Sequence, residues 1–447
     1  MQRNKFSILN LISYLFLIGN LLILCFIIYK IIKDGSFNYL KFYLYFVIIS
    51  CLFYFFNLFF NTSIKTYVAI VTVTLLCSVY TFQTYIIFTK LNLGVGKKEI
   101  SLYEKKFNKK FDTRSKLEIY QDLKKKEDIT IAVTPFNLRK DNDLKILPLS
   151  GISLKKTILC NELGYYAIFN SDRFGFNNPD IEWEKKQTFA VLVGDSFVHG
   201  SCVEPPNDIS GVLRSKINQG SIINLGQAGN APLTQYASLR EYLEVMKNVK
   251  YVIWFHYEAN DLYSDFKEEL DNKILKNYLE DENFTQNLDE KQQEINEILQ
   301  KRIDKILNNE IEKKKSNKKN LIINFIKLNE VRYTLFKKRK SELEKPYLIE
   351  FKKIIKLSKK LVNEKNATFY FVYLPSYSYT RENFVDKDYN DVKKIIEDLN
   401  ITFVDINELV FKKEENPKKL FPFEIWNHYT IDGYKKVANA VFDEIKK

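Results

Sequence analysis

Ser196 is the side chain best placed by its neighbours to become a nucleophile. It stands in Gly194-Asp195-Ser196, directly after the apolar run Phe189-Ala190-Val191-Leu192-Val193. A short apolar run bounded by glycine predicts a strand covered on both faces, and the residues after Ser196 predict a turn into a helix. A serine at a helix N-terminus lies among unpaired N–H groups and the positive end of the helix dipole, which favour negative charge near its oxygen. The plainer reading is that Asp195 and Ser196 only cap the helix, and the tripeptide alone does not separate the two.

Three further segments carry comparable chemistry. They are Asn224-Leu225-Gly226-Gln227-Ala228-Gly229-Asn230, Glu258-Ala259-Asn260-Asp261, and Trp426-Asn427-His428 with Gly433-Tyr434. Singly, Gly229 reads as a turn glycine, Asn260-Asp261 as a helix cap and His428 as a surface histidine. Together they supply what acyl transfer needs. A serine hydroxyl requires a base within hydrogen-bond reach, and a tetrahedral oxyanion requires fixed donors. The chain has three histidines. His199 lies one helical turn past Ser196 and His256 within a predicted strand, which leaves His428 as the base. The N–H groups of Ser196 and Gly229 and the amide of Asn260 are the predicted oxyanion donors, with Asp195 and Asp261 as supporting carboxylates.

The elements that must position these residues alternate. Strands are predicted at 188–193, 221–225, 251–256, 368–374 and 402–406, with helices near 208–218, 233–247, 388–399 and 432–446. Repeated β-α units imply a parallel sheet with helices on both faces, and such sheets bind ligands beyond the carboxyl ends of their strands. Each segment named above follows a strand. Residues 263–365 are too long for one crossover, and Ile295, Leu299, Ile303, Leu307 and Ile311 give a helical stripe there, so an inserted helical lobe is predicted.

The chain has 447 residues and a net charge of +13 from 68 basic and 55 acidic side chains. The two signs are interleaved. Without finger spacing, an aromatic RNA-binding pair or a long basic block, nucleic acid is not a predicted partner. No His-Glu-x-x-His, Cys-x-x-Cys or Walker loop is present, so neither a metal nor a cofactor is predicted. Residues 6–29, 42–64 and 66–89 contain no Asp, Glu, Lys or Arg, and each is long enough to cross a bilayer as a helix. Three transmembrane helices are therefore predicted in residues 1–92, followed by a Lys-rich juxtamembrane linker over 93–150 whose lysines would meet anionic lipid. The amides of Asn20, Asn57 and Gln83 read as helix-packing contacts. Lysine counts at the span ends place the soluble part in the cytoplasm. A Cys160–Cys202 disulfide would place it outside.

Gly194-Asp195-Ser196, Gly229, Asn260-Asp261 and His428 with Gly433-Tyr434 resemble, in order and spacing, the blocks of the SGNH or GDSL-type hydrolases. The resemblance covers residues 150–262 and 366–447. It implies a flavodoxin-like, three-layer α/β fold over 151–447, with Ser196 as nucleophile, His428 as base, and Gly229 and Asn260 as oxyanion donors. Two positions depart from that pattern: Ile425 stands where the family carries the Asp before its histidine, and Ala259 where it commonly has glycine. Glu424 or Asp405 would then orient His428, unless the site is a Ser-His dyad. The expected protein is a membrane-anchored esterase or O-acyltransferase acting on acyl, first of all acetyl, esters of an envelope glycan or lipid, with its soluble domain extracytoplasmic. The alternative is an inactive scaffold module holding partners of an envelope-assembly system.

Overall fold

The computed structural model describes residues 8–34, 37–92, 95–141, 143–336 and 347–447. Residues 6–7 of the first expected span, 93–94 and 142 of the expected linker, and 337–346 of the expected insertion lie outside the described residues. The chain separates into two units, Met1–Gly94 with Lys319–Lys337, and Val95–Lys318 with Lys338–Lys447.

The first unit holds the helices Ile8–Asp34, Phe37–Asn57 and Thr62–Asn92. Of the three predicted spans, two have the length and composition that crossing a membrane requires. Asn10–Lys33 and Thr62–Thr89 are long and apolar enough to cross a membrane, whereas the apolar part of the middle helix is Tyr43–Asn57. At about 1.5 Å per residue that part falls short of a hydrocarbon core about 30 Å thick. Two of the three amides pack against another helix as expected, the Asn57 amide donating to Ser13 Oγ at 2.8 Å and Gln83 Oε1 accepting from the Val331 N–H at 3.0 Å, whereas the Asn20 amide donates to the Phe16 carbonyl of its own helix at 2.8 Å. Leu22, Phe46 and Phe59 are among the large apolar side chains that these helices leave exposed.

Among the described residues the second unit holds eight strands in chain order: β1 Ile129–Ile131, β2 Lys156–Ile158, β3 Ile168–Asn170, β4 Thr188–Val193, β5 Ser221–Asn224, β6 Tyr251–Tyr257, β7 Thr368–Leu374 and β8 Thr402–Asp405. The last five are the predicted strands. They form one parallel sheet in the order β5-β4-β6-β7-β8, which is the 2-1-3-4-5 order of a flavodoxin-like doubly wound sheet. Burial on both faces explains the continuous apolar runs. Val191, Val193, Val252 and Trp254 belong to one core cluster, while Ala190, Leu192, Ile253 and Phe255 belong to the other. Strand alternation sends neighbouring residues to opposite layers.

Two predicted boundaries shift. Residues 116–150 are packed structure: Leu117, Ile119, Ile131, Leu147 and Leu149 are buried in the first cluster, and β1, β2 and β3 form a small sheet of their own. Short strands within Lys-rich sequence gave no periodic signal. The insertion 263–365 is also less separate than predicted. Helix Leu348–Glu364 buries Phe351, Ile354, Ile355, Ser358 and Val362 at helical spacing and is the crossover that a parallel β6–β7 pair requires. Ile295, Leu299 and Ile303 of helix Gln292–Ile326 lie in the main cluster.

Candidate active site

The nucleophile segment follows from local chain chemistry. β4 ends at Val193, and Ser196 is the first residue of the short helix Ser196–His199, capped by Asp195 through a 2.9 Å bond from the Phe197 N–H. Gly200 then turns the chain at φ +80°, a conformation that favours glycine. The capping reading of Asp195 is therefore met, its Oδ2 lies 3.3 Å from the Ser196 hydroxyl, and that hydroxyl has a second, nearer partner.

That partner is His428. The Ser196 hydroxyl lies 2.9 Å from His428 Nε2, across 232 positions of sequence. His428 precedes helix Ile431–Lys446, whose N-cap Thr430 accepts from the Gly433 N–H at 3.1 Å. Tyr429 is anchored by its hydroxyl on the Pro375 carbonyl at 2.6 Å, and Tyr434 on the Ser201 carbonyl at 3.2 Å. The Phe197 ring packs on the imidazole at 4.9 Å. His428 is thus held through Tyr429 beside it, through Tyr434 in the helix that follows, and by the Phe197 ring next to Ser196.

The carboxylate that meets the far ring nitrogen of His428 is Glu162. Its Oε1 lies 2.9 Å from His428 Nδ1, and its Oε2 accepts the His428 backbone N–H at 3.0 Å. This corrects the assignment of Glu424 or Asp405. Asp405 caps the following turn through the Asn407 N–H at 2.8 Å and accepts the Tyr389 hydroxyl at 2.5 Å. Glu424 meets Tyr377 through its backbone carbonyl. Glu162 lies in the loop between β2 and β3, upstream of the nucleophile, so a search near His428 passes over it. Cys160 was the available signal: it forms a disulfide with Cys202, which brings the neighbourhood of Glu162 to that of Ser196.

With a carboxylate against Nδ1, the neutral imidazole keeps its proton there and presents Nε2 as acceptor to the serine hydroxyl. Burial pushes the His428 pKa down, but the Glu162 hydrogen bond and charge, aided by Asp195, leave it above the usual histidine value. Burial instead takes His199 and His256 down to about 4. Asp195 is pushed up to about 7, by burial and then by the charge of Asp261. Asp261 is itself raised well above the usual value by burial, while its Oδ2 accepts the Tyr257 N–H at 3.0 Å.

Gly229 and Asn260 follow β5 and β6, the two strands that flank β4, at the same carboxyl edge as Ser196. Among the described residues neither the Ser196 nor the Gly229 N–H donates to a protein acceptor, and Asn260 Oδ1 is buried without a partner. Gly229 has φ +82°, and a side chain there would meet Phe136 Cβ at 2.7 Å and its ring at 2.8 Å. Arg139, buried in the segment expected to be linker, holds this loop: its Nη1 donates to the Gly229 carbonyl at 3.1 Å, and its other nitrogens pair with Asp265 and Glu268 at 2.8 Å. Glu162, Cys202 and His428 also bring three potential metal donors within 4.8 Å. That set does not suit a cation, because the Cys202 sulfur is bonded to Cys160 and offers no thiolate.

No family model matches the chain, and no curated protein matches it. Among solved structures it is similar to a protein assigned to the G-D-S-L lipolytic family from Desulfitobacterium hafniense DCB-2, at 14% identity over 57% of this chain and 98% of that one, with a TM-score of 0.32. It is also similar to the lipase/acylhydrolase from Enterococcus faecalis, at 13% identity over 58% and 96%, TM-score 0.33. A third is Axe2, an acetylxylan esterase from Geobacillus stearothermophilus, at 15% identity over 59% and 97%, TM-score 0.29.

Proposed function

We propose that this protein is a serine esterase or O-acyltransferase of the SGNH type, working through Ser196, His428 and Glu162. The observation that carries this reading is the continuous hydrogen-bonded line from the Ser196 hydroxyl through both ring nitrogens of His428 to the Glu162 carboxylate. Ser196 Oγ attacks the acyl carbonyl carbon while His428 Nε2 takes its proton, and Glu162 stabilises the imidazolium. The oxyanion is met by the N–H groups of Ser196 and Gly229 and by the Asn260 amide. Collapse expels the alcohol, which receives the proton from His428. Water or a second hydroxyl then removes the acyl group by the same steps in reverse roles.

The substrate class is an acyl ester, acetyl first, of an envelope glycan or lipid. Two supports favour a membrane-anchored enzyme with an extracytoplasmic domain: the apolar stretches Asn10–Lys33 and Thr62–Thr89, and the Cys160–Cys202 disulfide, which belongs to an oxidising compartment. The scaffold alternative drew on Ile425, and Glu162 removes that motive.

The test is covalent trapping of the full chain in detergent with a fluorophosphonate probe, read by intact mass. A single adduct is expected, absent in Ser196→Ala and strongly slowed in His428→Ala. An unlabelled, folded native protein would sink the reading and leave the scaffold role.

A further inference from the structure

The nucleophile and its orienting carboxylate come from different sheets. Ser196 follows β4 of the five-stranded sheet, whereas Glu162 sits between β2 and β3 of the three-stranded one. β2 and β3 are antiparallel, and the pairing continues through the Leu159 N–H to the Ala167 carbonyl and the Ala167 N–H to the Cys160 carbonyl, both at 2.9 Å. Cys160 is therefore the last paired residue of a hairpin, and Glu162 lies in its tip. One side of the tip is fixed by ordinary contacts: the Asn161 amide donates to the Asp112 carbonyl at 2.8 Å, Asn161 Oδ1 accepts the Gly164 N–H at 3.0 Å, and the Tyr103 ring covers Gly164. On the side of the nucleophile the tie is covalent. Cys202 lies in the turn just after the helix of Ser196, and its sulfur is bonded to Cys160, two residues before Glu162.

We infer that the Cys160–Cys202 disulfide is the positioning device that holds Glu162 on His428, so that acyl transfer by this protein depends on the bond being oxidised. The inference rests on the Ser196–His428–Glu162 reading. A dithiol reductant opens the bond in two exchange steps: its thiolate attacks one cysteine sulfur and expels the other cysteine as thiolate, leaving a mixed disulfide, and its second thiol then attacks the reductant's own sulfur in that mixed disulfide and releases the first cysteine, so that Cys160 and Cys202 gain two electrons and two protons as thiols while the reductant closes to its own disulfide. The hairpin tip is then released on the nucleophile side, and His428 loses its carboxylate. Nucleophile and base stay together, since the Tyr429 bond to Pro375 and the Phe197 contact with His428 lie away from the disulfide. Reduction thus turns a triad into a Ser-His dyad.

The test uses the full chain in detergent with histidine labelled at carbon Cε1, before and after dithiothreitol, alongside Glu162→Gln and Cys160→Ala/Cys202→Ala. Three histidines give three ring signals, and two of them are buried. The groups that face His428 are Glu162 from the hairpin, Asp195 and Ser196 from the nucleophile turn, and His199 from the helix that follows. The expected result is that reduction lowers the His428 pKa to its value in Glu162→Gln, with the far-UV spectrum unchanged. Ester turnover falls by the same factor as in Glu162→Gln, about 10³-fold, and reduction of Glu162→Gln lowers it no further. A reduced protein that keeps the native His428 pKa overturns the inference. So does loss of the folded spectrum on reduction, which would make the bond a general brace. If native protein shows no reactive serine, the hydrolase reading fails, yet the ring titration still reports whether the disulfide holds Glu162.

Discussion

Replacing Glu162 by glutamine separates the orienting charge from its shape. The carboxylate accepts from two donors at once, the His428 ring N–H and backbone N–H. Glutamine offers one oxygen and one NH2 group, so either a ring N–H faces an NH2, or the ring moves its proton to Nε2 and no longer accepts from Ser196. The charge is lost as well. A carboxylate and an imidazolium with charge centres about 4 Å apart, at an effective dielectric constant near 20, attract by about 4 kcal/mol. Side-chain exposures of 21% for Glu162 and 24% for His428 leave the pair mostly shielded from water. At about 1.4 kcal/mol per decade this is a loss of about 10³-fold in kcat/KM. The assay is turnover of an aryl acetate together with the rate of fluorophosphonate labelling, with Glu424→Gln and Asp405→Asn as controls expected to stay within about threefold of the native rate. If Glu162→Gln also stayed within about threefold while a control fell by about 10²-fold or more, the assignment of the orienting acid would be wrong.

Other expectations concern pH and stability. Because His428 acts as a base only when neutral and its pKa is raised, activity should rise with pH through a midpoint above the ordinary histidine value. Glu162→Gln should move that midpoint to lower pH, because the stabilised form of the native ring is the charged one, and an unmoved midpoint in a kcat/KM profile would contradict this. Gly175 has φ +84°, and a Cβ there would lie 1.9 Å from the Gly151 carbonyl oxygen. Gly175→Ala is therefore expected to cost about 2–4 kcal/mol and to lower the thermal midpoint in calorimetry by at least about 4 °C. An unchanged midpoint would show that the two loops separate freely.

The sequence by itself determined what depends on near neighbours. The apolar runs of β4 to β8 announced strands buried on both faces, and the residues after each run announced where its chemistry would sit. Asp195 before Ser196 marked a helix start, since a cap acts within three residues. His428 could be singled out among three histidines because the other two fall within buried elements. The tertiary structure decided what depends on distant partners. Glu162 and His428 stand 266 positions apart, and nothing in the composition around Glu162 distinguishes it from the other acidic side chains. Arg139 was hidden in the same way, within a Lys-rich segment that looked like linker until β1 to β3 and the core closed around it. Periodicity and caps are short-range properties of the chain, whereas a hydrogen bond between two loops exists only once the folded core has fixed both.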